Sequence, residues 1–181
     1  RELPISLLEI GVQNGGSLEI WSQYFKRAKH LVGCDINTVC GQLHYVQEAI
    51  SIVIGNADDD ATEIAIRRVT PDFDLIIDDG SHASEDIVRS FCRYFGALRP
   101  GGTYIAEDLH CSYWQEYQGG LYFPYSSIAS FKALVDVINQ ENWGLDKERQ
   151  AVLEPFFTHY GCSLDDHALA QIHSIAFVNS M

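Results

Sequence analysis

The stretch Asp74-Leu75-Ile76-Ile77-Asp78-Asp79-Gly80-Ser81-His82 joins an apolar run to two carboxylates, a glycine, a hydroxyl and an imidazole. Charged groups are too costly to bury in a strand, so they belong just past its carboxyl end. In an open α/β sheet that rim is where ligands bind. Carboxylates placed there can hold a hard divalent cation. A histidine, a side chain that exchanges protons near neutral pH, can act as base. Glu107-Asp108 repeats the pattern after the next apolar run. Oxygen donors from Asp79, Glu107 and Asp108 favour Mg2+ or Ca2+ over thiolate-loving ions. Zinc is disfavoured, because no second histidine or cysteine has suitable spacing. The competing structural reading has Asp79 and Ser84 capping a helix, with His82 exposed in a loop.

These residues need a scaffold, and the chain reads as strand and helix in strict alternation. Pro4 to Gly11 forms a buried strand. Gly15-Gly16 opens a helix with Leu18, Trp21 and Phe25 at helical spacing. His30–Cys34 is a second strand ending in Asp35, and Thr38–Ile50 is expected to be a helix. Ile52–Ile54 is a short strand that ends at Gly55-Asn56. Asp58, Asp59 or Asp60 caps the helix that runs to about Arg68. Phe73–Ile77 is the fourth strand. The helix after Ser84 has Ile87, Phe91, Tyr94 and Leu98 on one face. Pro100-Gly101-Gly102 turns into the fifth strand, Thr103–Ala106. The expected fold is α/β: a Rossmann-like doubly wound, mostly parallel sheet with helices on both faces and right-handed crossovers, as one domain over 1–181.

After Asp108 the pattern breaks. Residues 110–125 are aromatic and glycine-bearing without a clean period, as expected of a lid or binding loop. Trp114 with Tyr113, Tyr117 and Tyr122 forms an apolar substrate wall or packs the lid down; both readings stand. Residues 126–140 read as a helix, 141–170 carry no clear signal, and Gln171–Val178 resembles a late strand.

Polar groups also collect at the other strand ends. Glu9, Gly11 and Gly15 lie at the first strand-to-helix turn, where glycine lets backbone approach a ligand. The motif is neither GxGxxG nor a P-loop, and a ligand-free tight turn explains it equally well. Asp35 is placed to accept hydrogen bonds from two ribose hydroxyls, or to cap a helix. Asn56 and Asp58 are placed to face an adenine ring, or to cap the next helix. Together the turns point to a nucleoside ligand.

The formal net charge of −13 repels phosphate backbones and anionic membranes, leaving a small neutral or cationic ligand as the easier partner. Apolar residues make up 46%, enough for a core. Five cysteines without a CxxC pair read as reduced thiols in a cytoplasmic protein. No apolar run approaches the roughly 20 residues of a membrane span, and no signal peptide is visible. The chain opens on Arg1 directly before a strand and stops at Met181, which reads as trimming at both ends. An exposed aromatic loop is a candidate interface for a homo-oligomer.

With those residues placed, the chain resembles the class I methyltransferases that use S-adenosylmethionine (SAM). Glu9-x-Gly11 with Gly15-Gly16-Ser17 is similar to their first motif, Asp35 to their ribose-binding acid, and Leu98-Arg99-Pro100-Gly101-Gly102 to the turn before their fifth strand. IDDGSH together with EDLHxSYW more narrowly resembles the metal-dependent sugar O-methyltransferases of macrolide biosynthesis and the cephalosporin-hydroxylase-like group. The resemblance implies Mg2+ on Asp79, Glu107 and Asp108, with His82 as base. It also implies a hydroxylated small-molecule acceptor, a sugar or an antibiotic-type natural product. The chain departs from the family in having Gly55-Asn56 where "GD" is usual, although an amide still accepts a hydrogen bond from an adenine amine. The family usually begins with a helical segment and closes with an antiparallel strand pair; here the N-terminal helix is absent from the sequence pattern and the last strand reads as cut short. The rival functions are dinucleotide-dependent redox chemistry, which the missing GxGxxG opposes, and cofactor binding without turnover.

Overall fold

The computed structural model describes residues 2–179. They divide into two compact units, one of residues 2–81 with 97–107 and one of 82–96 with 108–179. The first unit carries a five-stranded sheet: β1 (Ser6–Ile10), β2 (His30–Asp35), β3 (Ile50–Ile54), β4 (Phe73–Asp78) and β5 (Leu98–Ala106). The order is β3-β2-β1-β4-β5, and every pairing is parallel. Sequence reasoning anticipated this open parallel sheet, because consecutive apolar runs separated by helical patterns permit little else.

β1 is buried along its whole length, as a central strand must be. Its Leu7 belongs to one buried cluster with Val12, Leu18, Leu31, Cys40 and Ile77. Leu18 comes from α1 (Gly16–Tyr24) and is fully buried, a contribution of about 1.5–3 kcal/mol. Gly33 in β2 allows that contact, since a Cβ there would collide with the side chains of Leu18 and Val12. A second helix, α2 (Asp60–Val69), buries Thr62 and Ile66.

Four expectations about the elements change. Thr38–Ile50 is not a helix; only Thr38–Gln42 forms a 3-10 turn, and Ile50 already belongs to β3. A helix would have placed Val39 and Val46 on the inner face, whereas they are 61% and 95% exposed. Instead Leu43 and Tyr45 pack on the core from an extended segment, and the Tyr45 hydroxyl donates to Gly15 O at 3.1 Å. β5 starts earlier than expected, at Leu98. The Pro100-Gly101-Gly102 segment is absorbed as an irregularity, with Phe73 opposite Leu98 but Leu75 opposite Thr103. Arg99 Nη1 reaches Asp74 Oδ2 at 2.8 Å beside it, and that oxygen also accepts from Ser6 N. Asp59 occupies the cap position of α2 without a side-chain cap bond; Asn56 Oδ1 accepts from Asp58 N at 3.0 Å nearby.

The second unit is helical: α3 (Ser84–Tyr94), α4 (Ser127–Ile138), α5 (Gln150–Tyr160) and the short α6 (Asp166–Leu169). α3 buries Ile87, Val88, Phe91 and Tyr94, α4 buries Phe131 and Leu134, and α5 buries Leu153 and Phe156. Phe91 and Phe131 meet edge to face at 5.4 Å. The fourth correction lies here. Gln171–Val178 forms no strand; Phe177 and Val178 are 47% and 91% exposed, and the segment joins no ladder. A strand without a hydrogen-bonding neighbour has no reason to persist.

Candidate active site

In the first unit the strand ends gather acids. β1 terminates in Glu9 and Ile10, and Gly11 follows with φ +94°. A Cβ on Gly11 would run into the backbone carbonyl of Asp79. The turn after β1 therefore lies directly against the turn after β4, and Asp79 N donates to Ile10 O at 2.9 Å. One strand further, Glu107 N donates to Asp78 O at 2.9 Å. Asp78 itself is buried, accepting from the Tyr104 hydroxyl at 3.2 Å.

Glu9 is also buried, at 3% exposure, and accepts from Ser17 Oγ at 2.8 Å. It clamps β1 to α1. Burial raises its pKa above the usual carboxyl range; Ser17 opposes the shift, and the Asp79 and Glu107 carboxylates add to it. A raised folded-state pKa means stability that is complete at low pH and is lost as pH rises through the folded value. Glu9→Gln keeps the shape and removes the buried charge. In metal-free buffer the variant is expected to melt above the parent at about pH 8, with the two converging near about pH 4. Thermal denaturation across that range checks it, and a variant melting lower at the alkaline end would show that the charge itself is needed.

Asp35 is engaged by backbone. Oδ2 accepts from Val12 N at 2.8 Å and Gln13 N at 2.9 Å, and Oδ1 from Asn37 N at 2.8 Å. Burial alone would raise its pKa, but the amides of Asn37, Gln13 and Val12 prevail and hold it below the usual range. A carboxylate has about four lone-pair directions, and these amides take up most of them. Asp35 thus organises the β1–α1 turn first, a role its position in the sequence did not disclose. Gly15 supplies the left-handed cap of α1. Asn56 is exposed, and its side chain turns back on its own loop.

The second unit begins at His82, three residues beyond Asp79 along the chain. His82 has φ +60° and Asp108 φ +50°, left-handed values that cost a non-glycine residue about 1–3 kcal/mol each. Such strain persists only where the surroundings enforce it. His82 Nε2 lies 3.9 Å from Asp108 Oδ2, and His110 Nδ1 lies 3.7 Å from Asp108 Oδ1. Asp108 is therefore flanked by two imidazoles. The aromatic segment folds as two 3-10 turns, Leu109–Tyr113 and Gln115–Tyr117. Trp114 meets His110 at 5.1 Å and Tyr117 at 6.0 Å, and Tyr117 meets His82 at 6.4 Å. Tyr122 is almost fully exposed and stands apart from that group. Sequence reasoning missed Ser84 Oγ, Ser112 and Ser127, which bond to one another beneath these turns.

Carboxylate oxygens of the kind Asp79 and Glu107 carry in the first unit, and Asp108 in the second, are the donor chemistry that suits Mg2+. The mutual repulsion of Glu9, Asp79 and Glu107 is what a cation would relieve.

A parallel sheet of order β3-β2-β1-β4-β5 with acids at its strand ends has the class I methyltransferase fold. The family described as "Methyltransferase domain" matches residues 8–109, more than half of the chain, and the chain belongs to that family. It is 34% identical over 161 residues to demethylmacrocin O-methyltransferase of Streptomyces fradiae, covering 82% of this chain. It is 32% identical over 151 residues to an 8-demethyl-8-alpha-L-rhamnosyl tetracenomycin-C 2'-O-methyltransferase of Streptomyces olivaceus, covering 79%. The chain spans 39% of the length of each of these relatives. Among solved structures it is similar to the MycE methyltransferase of mycinamycin biosynthesis in complex with Mg, SAH (S-adenosylhomocysteine) and mycinamycin VI. That match has a TM-score of 0.72 and 30% identity, and covers 83% of this chain and 40% of the other.

Proposed function

We propose that the chain is the SAM-binding catalytic domain of a Mg2+-dependent O-methyltransferase acting on a sugar hydroxyl of a polyketide or antibiotic-type natural product. The observation that carries it is the pairing of left-handed His82, which follows the Asp78-Asp79 pair, with left-handed Asp108, which closes the Glu107-Asp108 pair, in a chain whose relatives are sugar O-methyltransferases. When bound, SAM supplies an electrophilic methyl group and Mg2+ lowers the pKa of an acceptor hydroxyl. Asp79, Glu107 and Asp108 are the proposed metal ligands, and His82 takes the hydroxyl proton on an imidazole nitrogen. Glu9, Gly11, Gly15, Asp35, Asn56 and Asp58 are the proposed SAM residues. The backbone amides held by Asp35 shape the glycine turn, and Glu9 acts by anchoring it. Trp114 and Tyr117 supply an apolar wall that excludes water from the acceptor and holds it in line.

Residues 1–181 are proposed to act as one functional domain. The proposed partner is a small hydroxylated molecule, with no nucleic acid and no membrane, and self-association through the aromatic loop is part of the proposal. Among the described residues no helix is long and apolar enough to cross a membrane; the proposed location is the cytoplasm.

The test is methyl transfer from radiolabelled SAM to a panel of glycosylated macrolides and tetracenomycins. EDTA is expected to abolish transfer and Mg2+ to restore it. Transfer that persists in EDTA would remove the metal from the proposal. Tight SAH binding with no transfer to any acceptor would favour a cofactor-binding protein without turnover.

A further inference from the structure

His82 and Asp108 hold strained backbone, and the second unit contains what enforces it. Ser84 lies two residues after His82, and Ser112 four residues after Asp108. Ser84 Oγ accepts from Ser127 N at 3.0 Å, and the hydroxyls of Ser112 and Ser127 are 2.6 Å apart. The exposures of Ser84, Ser112 and Ser127 are 0%, 1% and 0%. Buried hydroxyls must find partners inside the protein, and here each finds one on a different element. The first turn of α4 thus staples the turn that carries His82 to the turn that carries Asp108. A second clasp lies at the surface: Gln118 Oε1 accepts from Glu85 N at 3.0 Å, tying the aromatic segment to the start of α3.

We propose that Ser84, Ser112 and Ser127 are positioning residues of the reaction: by joining the two turns through α4 they hold His82 and Asp108 beyond hydrogen-bond reach of each other. The 3.9 Å separation is too long for a hydrogen bond. At that distance the imidazole does not take up the carboxylate, and Asp108 can serve a cation. Without the staple the left-handed residues relax, and the imidazole and carboxylate close on each other. The inference rests on the assignment of Asp108 to the metal and His82 to the proton.

Mn2+ binding by calorimetry tests it in the protein that carries this chain, with SAH binding measured alongside. Ser112→Ala and Ser127→Ala are each expected to weaken Mn2+ about tenfold, the scale of lost support to a metal ligand. The double variant is expected to be no weaker than the worse single one, because both hydroxyls act through one bond. SAH affinity stays within twofold. Ser130→Ala is the control: that serine is also buried, and its hydroxyl donates to Ser127 O within α4, so Mn2+ affinity is expected to be unchanged. Should Ser127→Ala fail to fold, Ser112→Ala decides against the same control. Mn2+ affinity within twofold of the parent in Ser112→Ala overturns the positioning role alone. Parallel loss of SAH and Mn2+ binding overturns it in favour of general structural damage. A parent protein that binds no Mn2+ overturns the metal reading and the staple with it.

Discussion

Replacing His82 by asparagine is expected to lower kcat for methyl transfer by about 10²- to 10⁴-fold, the usual worth of a positioned general base. Asparagine is the informative choice. His82 sits at φ +60°, and asparagine visits that region more readily than most residues, so the backbone keeps its turn. The side chain stays polar, with its amide near where Nδ1 stood, but it does not take a proton at neutral pH. The KM for SAM should stay within about twofold, because the proposed SAM residues lie on other strand ends. The thermal midpoint should fall by no more than about 4 °C, since His82 is half-buried and the substitution keeps its backbone geometry. His82→Ala should lose as much rate. Steady-state kinetics with one accepted macrolide or tetracenomycin substrate decides it, and full activity in either variant would sink the assignment of His82 as base.

The second large effect is expected at Gly11. Its φ of +94° is open to glycine, and a methyl group there would strike the Asp79 carbonyl. Gly11→Ala therefore pays twice, in backbone strain of about 1–2 kcal/mol and in displacement of the β4 turn. A total of at least about 2 kcal/mol corresponds to a fall in melting temperature of roughly 4–8 °C for a chain of this size. The same shift moves the backbone of a proposed metal ligand and the amides that Asp35 organises. SAH affinity and Mg2+ dependence should thus fail together, which distinguishes Gly11→Ala from a purely destabilising change in the core. Differential scanning calorimetry with SAH titration measures both. A variant that melts and binds like the parent would show that the two turns are less tightly seated than their geometry implies.

Much of the architecture was legible because its signals are local. Apolar runs such as Leu7-Leu8 and Leu75–Ile77, each followed by a turn signal and a helical pattern, read as strands of a covered sheet. A carboxylate at the end of such a run marks the rim, where water or a ligand meets it. The open parallel sheet and the acids at the ends of β1, β4 and β5 followed from that, while the strand order came from the structure. The elements that were misread share a different cause. Thr38–Ile50 has apolar residues at helical spacing, yet Tyr45 and Leu43 are claimed by α1 and the core, which pulls the segment straight. Gln171–Val178 has strand-like composition, but pairing requires a neighbour, and among the described residues it joins no ladder.

The sequence by itself determined that this is an α/β chain with an open parallel sheet and which side chains cluster at its strand ends. It also carried the family through IDDGSH and the Pro-Gly-Gly turn. The first follows from periodicity and residue chemistry read over a few neighbours, the second from the resemblance of those motifs to known methyltransferases. Only the tertiary structure decided that Asp35 spends three acceptor positions on backbone amides, that Glu9 is a buried clamp, and that His82 and Asp108 share left-handed strain. It alone brought Ser84, Ser112 and Ser127 together across 15 and 43 residues of chain. A hydroxyl's partner is set by what the fold carries to it, and one serine among many has no local signature of that partner.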